Sequence, residues 1–545
     1  MTLSVSVNKK ICIIGAGWYG CHLALALRKN GYDVTIYEKN PQIFSGVSGS
    51  YGIRLHSGLH YPRSDKTREN CRKGFVNFRE RYPELVVDHE KAIYGLGTTD
   101  ADGNPPKVTK EEFLRVAEEL NGFFDWKEID PESENLHELQ TAIDLDEPSV
   151  LLGDPLRNAF VKYLSEAGVK VVCDFEVTGI EKSLTGKQTV RGKDSSADFD
   201  VVINSTGYQA HLPKDEDFPF DMEVVYQPCL ALVYEDTQSG DKPISFIVMD
   251  GWFPCIMPVC EHETNHTANR EYILTHGKWT IMGSFEDPAN ARRTLSRLYD
   301  EFVEANIKTP SEYEMSRFMP DFAERFRYKG WRGEVLAKLK TKKEFRSGFT
   351  YEKDGVIHVF PGKISNVFDV EDEVLALLNH ENVLSQNGYS FIRGGVMDDS
   401  RIEIQEKPHP DEPNTANLQT FVQLIDEHAM CKEKYKAKQN IDPNANYFFE
   451  MQCLNRFFAG AAMLGSAMVA LLYVSAMTVL PFVSAAVVMM GYSTYSFFSQ
   501  SNRGMSREQL LPPPASPGTC GEDDFLEEFS VAQETPSVRP VFTSV

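Results

Sequence analysis

No CxxC pair occurs anywhere in this chain. Its 10 cysteines are scattered. Cys255 and Cys260 lie closest together, with no partner pair at metal-site spacing. That excludes the common zinc and dithiol motifs and fits reduced, buried thiols of an intracellular chain, so no metal is expected. Positive charge is also scarce: 56 Lys and Arg against 79 Asp and Glu leave a net charge of -23. Such a surface excludes nucleic acid as a main partner, because phosphate needs a basic face. Small anions stay open, since they meet only a local pocket. Residues 1–10 lack an apolar core of signal-peptide length, so no cleavable leader is expected. No internal repeat is seen. The 545 residues suggest roughly two to four folding units.

What the chain does carry is a compact pattern from Lys10 to Glu38. Ile11 to Ile14 form a short apolar run, typical of a strand buried in a parallel sheet. Gly15-Ala16-Gly17-Trp18-Tyr19-Gly20 follows at once. A helix then presents Ala24 and Leu27 on one face and ends at Gly31. Val34 to Tyr37 form a second strand, which stops at Glu38. Each piece has a task in binding a dinucleotide. Gly15 permits the tight turn, Gly17 lets backbone approach a pyrophosphate, and Gly20 lets helix and strand pack closely. The helix N-terminus offers free N–H groups and a partial positive charge. Glu38 accepts hydrogen bonds from an adenosine ribose and repels a 2′-phosphate, which disfavours NADP. The bland alternative is a glycine-rich turn of another α/β domain, but here all five parts fall in register.

Lys39 follows the acid, and then comes a small, glycine-rich stretch from Phe44 to Gly52 that includes Ser50. After it stands Ile53-Arg54-Leu55-His56-Ser57-Gly58-Leu59-His60-Tyr61-Pro62. At these residues the chain resembles the FAD-dependent oxidoreductases of the D-amino acid oxidase superfamily. It looks nearest to the L-2-hydroxyglutarate oxidase and glycerol-3-phosphate dehydrogenase branch. His56, Gly58, Tyr61, Pro62, Ser64, Lys66, Cys71 and Gly74 follow the order of that branch. An extra residue stands between Gly52 and His56 and another between Lys66 and Cys71, and His60 replaces an aromatic.

The resemblance spans residues 8–385 in blocks and implies FAD as cofactor. It places adenine contact near Val177, after a helix from Asp154 to Ala167 and a strand from Val169 to Cys173, with Glu176 and Val177 on the next strand. It places Thr206 and Gly207, after a strand from Phe199 to Ile203, over the pyrophosphate. Gly362, Lys363 and Ile364 would approach the flavin, where Lys363 or the helix start would stabilise negative charge. The expected fold class is α/β. An FAD-binding Rossmann-like domain (8–84, 150–215 and 336–385) carries an inserted, mostly antiparallel β-sheet substrate domain (85–149 and 216–335). β-prone runs at Met222–Tyr226, Leu230–Tyr234, Ile244–Met249 and Tyr272–Thr275 supply that sheet. Residues 252–258 either line a substrate pocket or are ordinary core.

Flavin oxidation of a small amine or hydroxy acid needs a C–H bond aimed at flavin N5, an anion clamp and a proton acceptor. His56 and His60 are the candidate bases. Arg346, with Arg54 and Arg63 as alternatives and Lys343 behind them, is the candidate clamp. Against this stand a hydrogen-bonded core role for each histidine and a solvated surface role for Arg63. Oxygen or another acceptor would reoxidise the flavin. Two alternatives remain: a flavin-fold protein that binds or targets with little catalysis, and an NADPH-using monooxygenase. The second lacks a second glycine fingerprint.

The C-terminal part reads differently. Residues 386–455 form a polar tether. Phe457 to Phe498 contain no charged side chain, and as one helix would run to about 60 Å, twice a bilayer core. Pro481 divides the run, so a transmembrane helical hairpin is expected over 456–499. Lys432 to Lys438 and Arg456 on one flank, with Arg503 and Arg507 on the other, put both ends in the cytosol. A buried core hairpin is the alternative. Residues 500–545, with Pro512-Pro513-Pro514 and an acidic patch, read as a disordered tail. The expectation is an enzyme on an intracellular membrane, with its catalytic domain facing the cytosol.

Overall fold

The computed structural model describes residues 9–393, except 52–53, 208–223, 239, 241, 262–269, 340–347 and 387. Strand β1 (Lys10–Ile14) is buried along Ile11, Cys12, Ile13 and Ile14, as a strand covered on both faces must be. It pairs in parallel with β2 (Asp33–Tyr37) on one side and with Val201–Asn204 on the other. Between β1 and β2 runs helix α1 (Trp18–Lys29), with Arg28 and Lys29 at its negative end. Gly31, at φ +86°, turns the chain back.

This unit sits in an eight-stranded sheet. Its order is Val383–Gln386, Tyr389–Ile392, Phe349–Lys353, Val356–Phe360, Val201–Asn204, β1, β2, Lys170–Val172. The last five strands are parallel, and the first three add antiparallel pairs at one edge. Helices Gly153–Glu166 and Val367–Asn379 pack against α1. Trp18 anchors the core there, with its ring 5.0 to 6.0 Å from those of Phe44, Phe78, Tyr82 and Phe160.

A second eight-stranded sheet runs Phe326–Leu339, Val224–Asp236, Glu271–Thr275, Cys255–Pro258, Ile244–Met249, Lys91–Gly97, Leu139–Leu145, Trp126–Ile129. Only Ile244–Met249 against Lys91–Gly97 is parallel. A small antiparallel meander, Gly179–Lys182, Gln188–Arg191 and Ser196–Phe199, joins Lys170–Val172 to Val201–Asn204.

The structure corrects several expectations. The runs at Met222–Tyr226 and Leu230–Tyr234 belong to one strand, Val224–Asp236. Gln227-Pro228 reads as a break, but this half of the strand is fully paired only on its Phe326–Leu339 side. The other side carries isolated bridges, so proline's missing donor is tolerated. Glu176 and Val177 are not in a strand. The chain there is held to the end of β2 by Asp174 N–H to Asn40 O and Phe175 N–H to Glu38 O. The strand expected over Phe199–Ile203 is split at Asp200 between the meander and the large sheet. Strand Phe326–Leu339 runs unbroken across the boundary expected between 335 and 336. Among the described residues no helix is long and apolar enough to cross a membrane. The expected tether, hairpin and tail lie outside the described residues.

Candidate functional site

A cavity of about 1130 Å³ opens at the carboxyl ends of the parallel strands, beneath residues 331–338 of the second sheet. Crevices at strand ends are where α/β sheets bind ligands. Ile14, Tyr37, Ser205 and Phe360 mark the strand ends on its wall. Gly15 (φ +97°) needs its conformation, and a Cβ there would sit 2.7 Å from Ser205 O. At Gly20 a Cβ would come within 2.0 Å of Gly15 O. Gly17 caps α1 without a side-chain bond of its own, and Trp18 N–H makes only a long bond to Ser48, so the helix start can turn its amides to an anion. Ser48 Oγ lies 3.4 Å from Trp18 N.

Glu38 reaches back over the turn. Its Oε2 accepts from Ala16 N–H at 2.8 Å, and its Oε1 from Asn40 N–H and Nδ2 at 3.0 and 2.7 Å. Tyr19 ties the far wall to the helix: its hydroxyl donates to Lys363 O (2.7 Å) and accepts from Gly362 N–H (2.9 Å). Lys39, Val177, Thr206, Gly207, Gly362, Lys363 and Ile364 all line the same cavity. Ser205 Oγ is buried there with no hydrogen-bond partner among the described residues. An uncapped helix start, a floor without Cβ atoms and an acid beyond it fit a linked diphosphate and its ribose.

At the other end lies a buried charge cluster. Arg54 is 4% exposed and stacks over the Tyr94 ring at 5.0 Å. Its Nε stands 3.6 Å from Glu147 Oε1. Neither Nη1 nor Nη2 has a hydrogen-bond acceptor among the described residues. The Glu147 side chain is fully buried and accepts from Ser57 N–H at 2.6 Å and Tyr94 OH at 2.5 Å. Burial raises the pKa of Glu147, but His56, Arg54 and the Ser57 amide outweigh it and hold the carboxyl down at about 2. His56 Nδ1 lies 3.4 Å from the same carboxylate. Burial first, then the Lys363 ammonium, lower the His56 pKa to about 4. Its ring is therefore neutral at pH 7, and Arg54, the Ser57 amide and Tyr94 hold the Glu147 charge. Lys363 Nζ sits 3.5 Å from the Tyr61 ring centroid and 3.6 Å from Cys71 Sγ.

Arg54 and His56 also line a second, small cavity of about 20 Å³ with His60, Phe253, Met257 and His276. The His60 ring packs between those of His56 (4.8 Å) and Phe253 (5.3 Å). The structure thus brings His56 and His60 together at the meeting of the two cavities. Arg346 and Lys343 lie outside the described residues. Arg63 pairs with Asp250 at 3.2 Å. Ser50 ends the short helix Val47–Ser50, and Ser48 of the same helix is on the cavity wall. Sequence reasoning missed Glu147, Tyr94, Ser48 and His276. Nothing near Glu147 in the chain marks it, because its partners stand some 50 to 90 positions away.

The fold and site define an FAD-dependent enzyme, and comparison with known proteins supplies the family. The family model described as FAD dependent oxidoreductase (DAO) matches residues 10–229. An FAD-dependent monooxygenase, kojA, of Aspergillus flavus is 47% identical over 431 residues, covering 78% of this chain and 99% of its own. The FAD-dependent monooxygenase FPY4 of Fusarium mangiferae is 27% identical over 375 residues, covering 68% and 91%. Among solved structures, the FAD-bound L-alpha-glycerophosphate oxidase of Mycoplasma pneumoniae matches with a TM-score of 0.50 at 15% identity, over 68% of this chain and 94% of that one. The chain belongs to the DAO family of FAD-dependent oxidoreductases. That membership replaces the reading of a flavin-fold protein without catalysis.

Proposed function

We propose that this enzyme oxidises a C–H bond of a small amine or hydroxy acid, with Arg54 holding the substrate anion and His56 receiving the proton. One observation carries the reading. A buried guanidinium whose Nη1 and Nη2 lack acceptors among the described residues stands where the cofactor-sized cavity meets the small one. Bound FAD supplies the two-electron acceptor for this chemistry, which oxygen or another acceptor restores. Gly15, Ala16, Gly17, Tyr19 and Gly20 hold its phosphates in this reading, and Glu38 its ribose.

The chain's own residues do the rest. Arg54 presents a planar fork matched to two carboxylate oxygens. Glu147 fixes that fork from behind and balances its charge. His56 is neutral at pH 7 and has a lone pair for the substrate's N–H or O–H proton. A substrate anion on Arg54 cancels part of the positive field around the ring, which raises its basicity when substrate is bound. Phe253, Ile247 and Met257 line the small cavity with apolar surface and exclude water from it.

Monooxygenation is a second reading, favoured by the name that kojA and FPY4 carry. It inserts one oxygen atom of O₂ into substrate and releases the other as water, with two electrons from a reduced nicotinamide. Anaerobic mixing separates the two. Bleaching of the yellow protein by a hydroxy acid or amino acid supports direct oxidation, and bleaching only by NADPH supports monooxygenation. A protein purified without flavin that takes none up defeats both. The charge-free run from Phe457 to Phe498 supports anchoring to an intracellular membrane with the catalytic domain in the cytosol. Release of the chain from membranes by high-pH carbonate would refute that anchoring.

A further inference from the structure

The small cavity is lined by a second residue with an unsatisfied donor. His276 is 1% exposed and lines the cavity together with Arg54. Its turn is locked. The Thr280 hydroxyl accepts from the His276 amide and donates to its carbonyl, both at 2.9 Å, and Gly277 N–H bonds Trp252 O at 2.7 Å. The Lys278 amide donates to His276 Nδ1 at 3.2 Å. Because Nδ1 accepts, the single proton of the neutral ring belongs on Nε2. Burial, with the Lys278 charge adding to it, keeps the ring's pKa well below 6.5, so neutral is its form at pH 7. Nε2 is buried and has no hydrogen-bond partner among the described residues.

Arg54 Nη1 and Nη2 and His276 Nε2, on the wall of one small space, are thus buried nitrogens without acceptors among the described residues, while Arg54 Nε faces Glu147 at 3.6 Å. Buried donors left unpaired are costly, so such a space favours an acceptor-only group. The volume is about 20 Å³, where one water needs about 10–15 Å³. That leaves room for one to two oxygen-sized groups beyond the wall, the space the two oxygens of a small head group need. A carboxylate matches in size, charge and lack of donors.

We infer that His276 is a specificity-determining residue, whose Nε2–H donates to a carboxylate oxygen of the substrate beside Arg54. The substrates are then small carboxylic acids, 2-hydroxy or 2-amino acids, rather than neutral alcohols or amines. The inference rests on the reading that the small cavity takes the substrate's head.

The test uses full-length holoenzyme and two redox-inert probes, propionate and propionamide, titrated against the flavin absorbance band. Propionate is expected to bind at least about ten-fold tighter than the amide. His276→Asn keeps an acceptor for Lys278 N–H but withdraws the pocket donor. It is expected to raise the propionate Kd about ten-fold, the loss of one hydrogen bond to a charged group, with a smaller rise for propionamide, whose carbonyl oxygen is a neutral acceptor. His276→Gln, whose amide reaches the Nε2 position, is expected to stay within about three-fold of the parent. Flavin content of each variant reports folding. Equal binding of acid and amide, no binding of either, or an Asn variant that binds propionate like the parent overturns the inference. Failure of the oxidation reading looks different: propionate binds with this same dependence, yet no hydroxy or amino acid bleaches the flavin.

Discussion

Replacing Glu147 with Gln removes one charge and almost no volume, so its effect isolates what the carboxylate does. Each oxygen faces donors: Ser57 N–H on Oε2, and Tyr94 OH on Oε1 with Arg54 Nε 3.6 Å away. A Gln NH₂ in either place opposes a donor. Two routes give the size of the loss. The carboxyl pKa falls from 4.5 to about 2, worth about 3 kcal/mol at 1.36 kcal/mol per unit. Coulomb attraction to Arg54 at 3.6 Å is worth about 4–5 kcal/mol at an effective dielectric of 20. Both agree with the roughly 3–5 kcal/mol lost when a buried pair is broken from one side. Urea unfolding of the full chain, followed by flavin fluorescence, should show Glu147→Gln destabilised by about 3 kcal/mol. His56 should also titrate lower, since Glu147 raises its pKa. A loss under about 1 kcal/mol would mean that Glu147 does not compensate Arg54, and the proposed clamp would lose its support.

Gly20→Ala puts a methyl where Gly15 O stands 2.0 Å from the Cβ position, so the turn must open. The variant should purify with little or no FAD, and normal flavin content would contradict the close packing. His56→Gln should lower kcat/KM by about 10²–10⁴-fold, the usual weight of a positioned base. With a pKa near 4, His56 is active above that pH, so kcat/KM of the parent falls as pH drops through about 4. A limb near 6.5 instead would point to another base. Acid stability follows the same groups. His56 and His89 titrate at about 4 and about 3 in the folded chain against 6.5 ordinarily. The unfolded chain therefore takes up protons first, and stability falls as pH drops below about 6.5. Glu147, lowered from 4.5 to about 2, extends the loss below 4.5. An unfolding midpoint unchanged between pH 7 and 5 would sink this account.

The dinucleotide cradle was legible because its parts are consecutive. Residues 10–38 carry the strand, glycine turn, helix and acid, and each is set by local chemistry: apolar β-branched residues, absent Cβ atoms and a terminal carboxylate. The same holds for the helix Gly153–Glu166 and the strand ending at Phe360. Signals failed where pairing overrode punctuation. Gln227-Pro228 stayed inside a strand, and the chain just before Val177 was held to residues 38 and 40 by the Phe175 and Asp174 amides rather than by a sheet.

Local patterning in the chain was thus enough to specify a phosphate-binding turn, and the family resemblance added FAD and pointed to His56, which lines the same cavity. The partners of Arg54 came from elsewhere. Leu55 N–H bonds Pro148 O, and Arg54 bridges Ser149, which delivers Glu147 to a guanidinium 93 positions earlier. His276 arrives on a turn next to yet another strand of the second sheet. Such contacts depend on sheet register and on burial, which no short window of residues encodes, because the energy that sets them is shared among strands far apart in the chain.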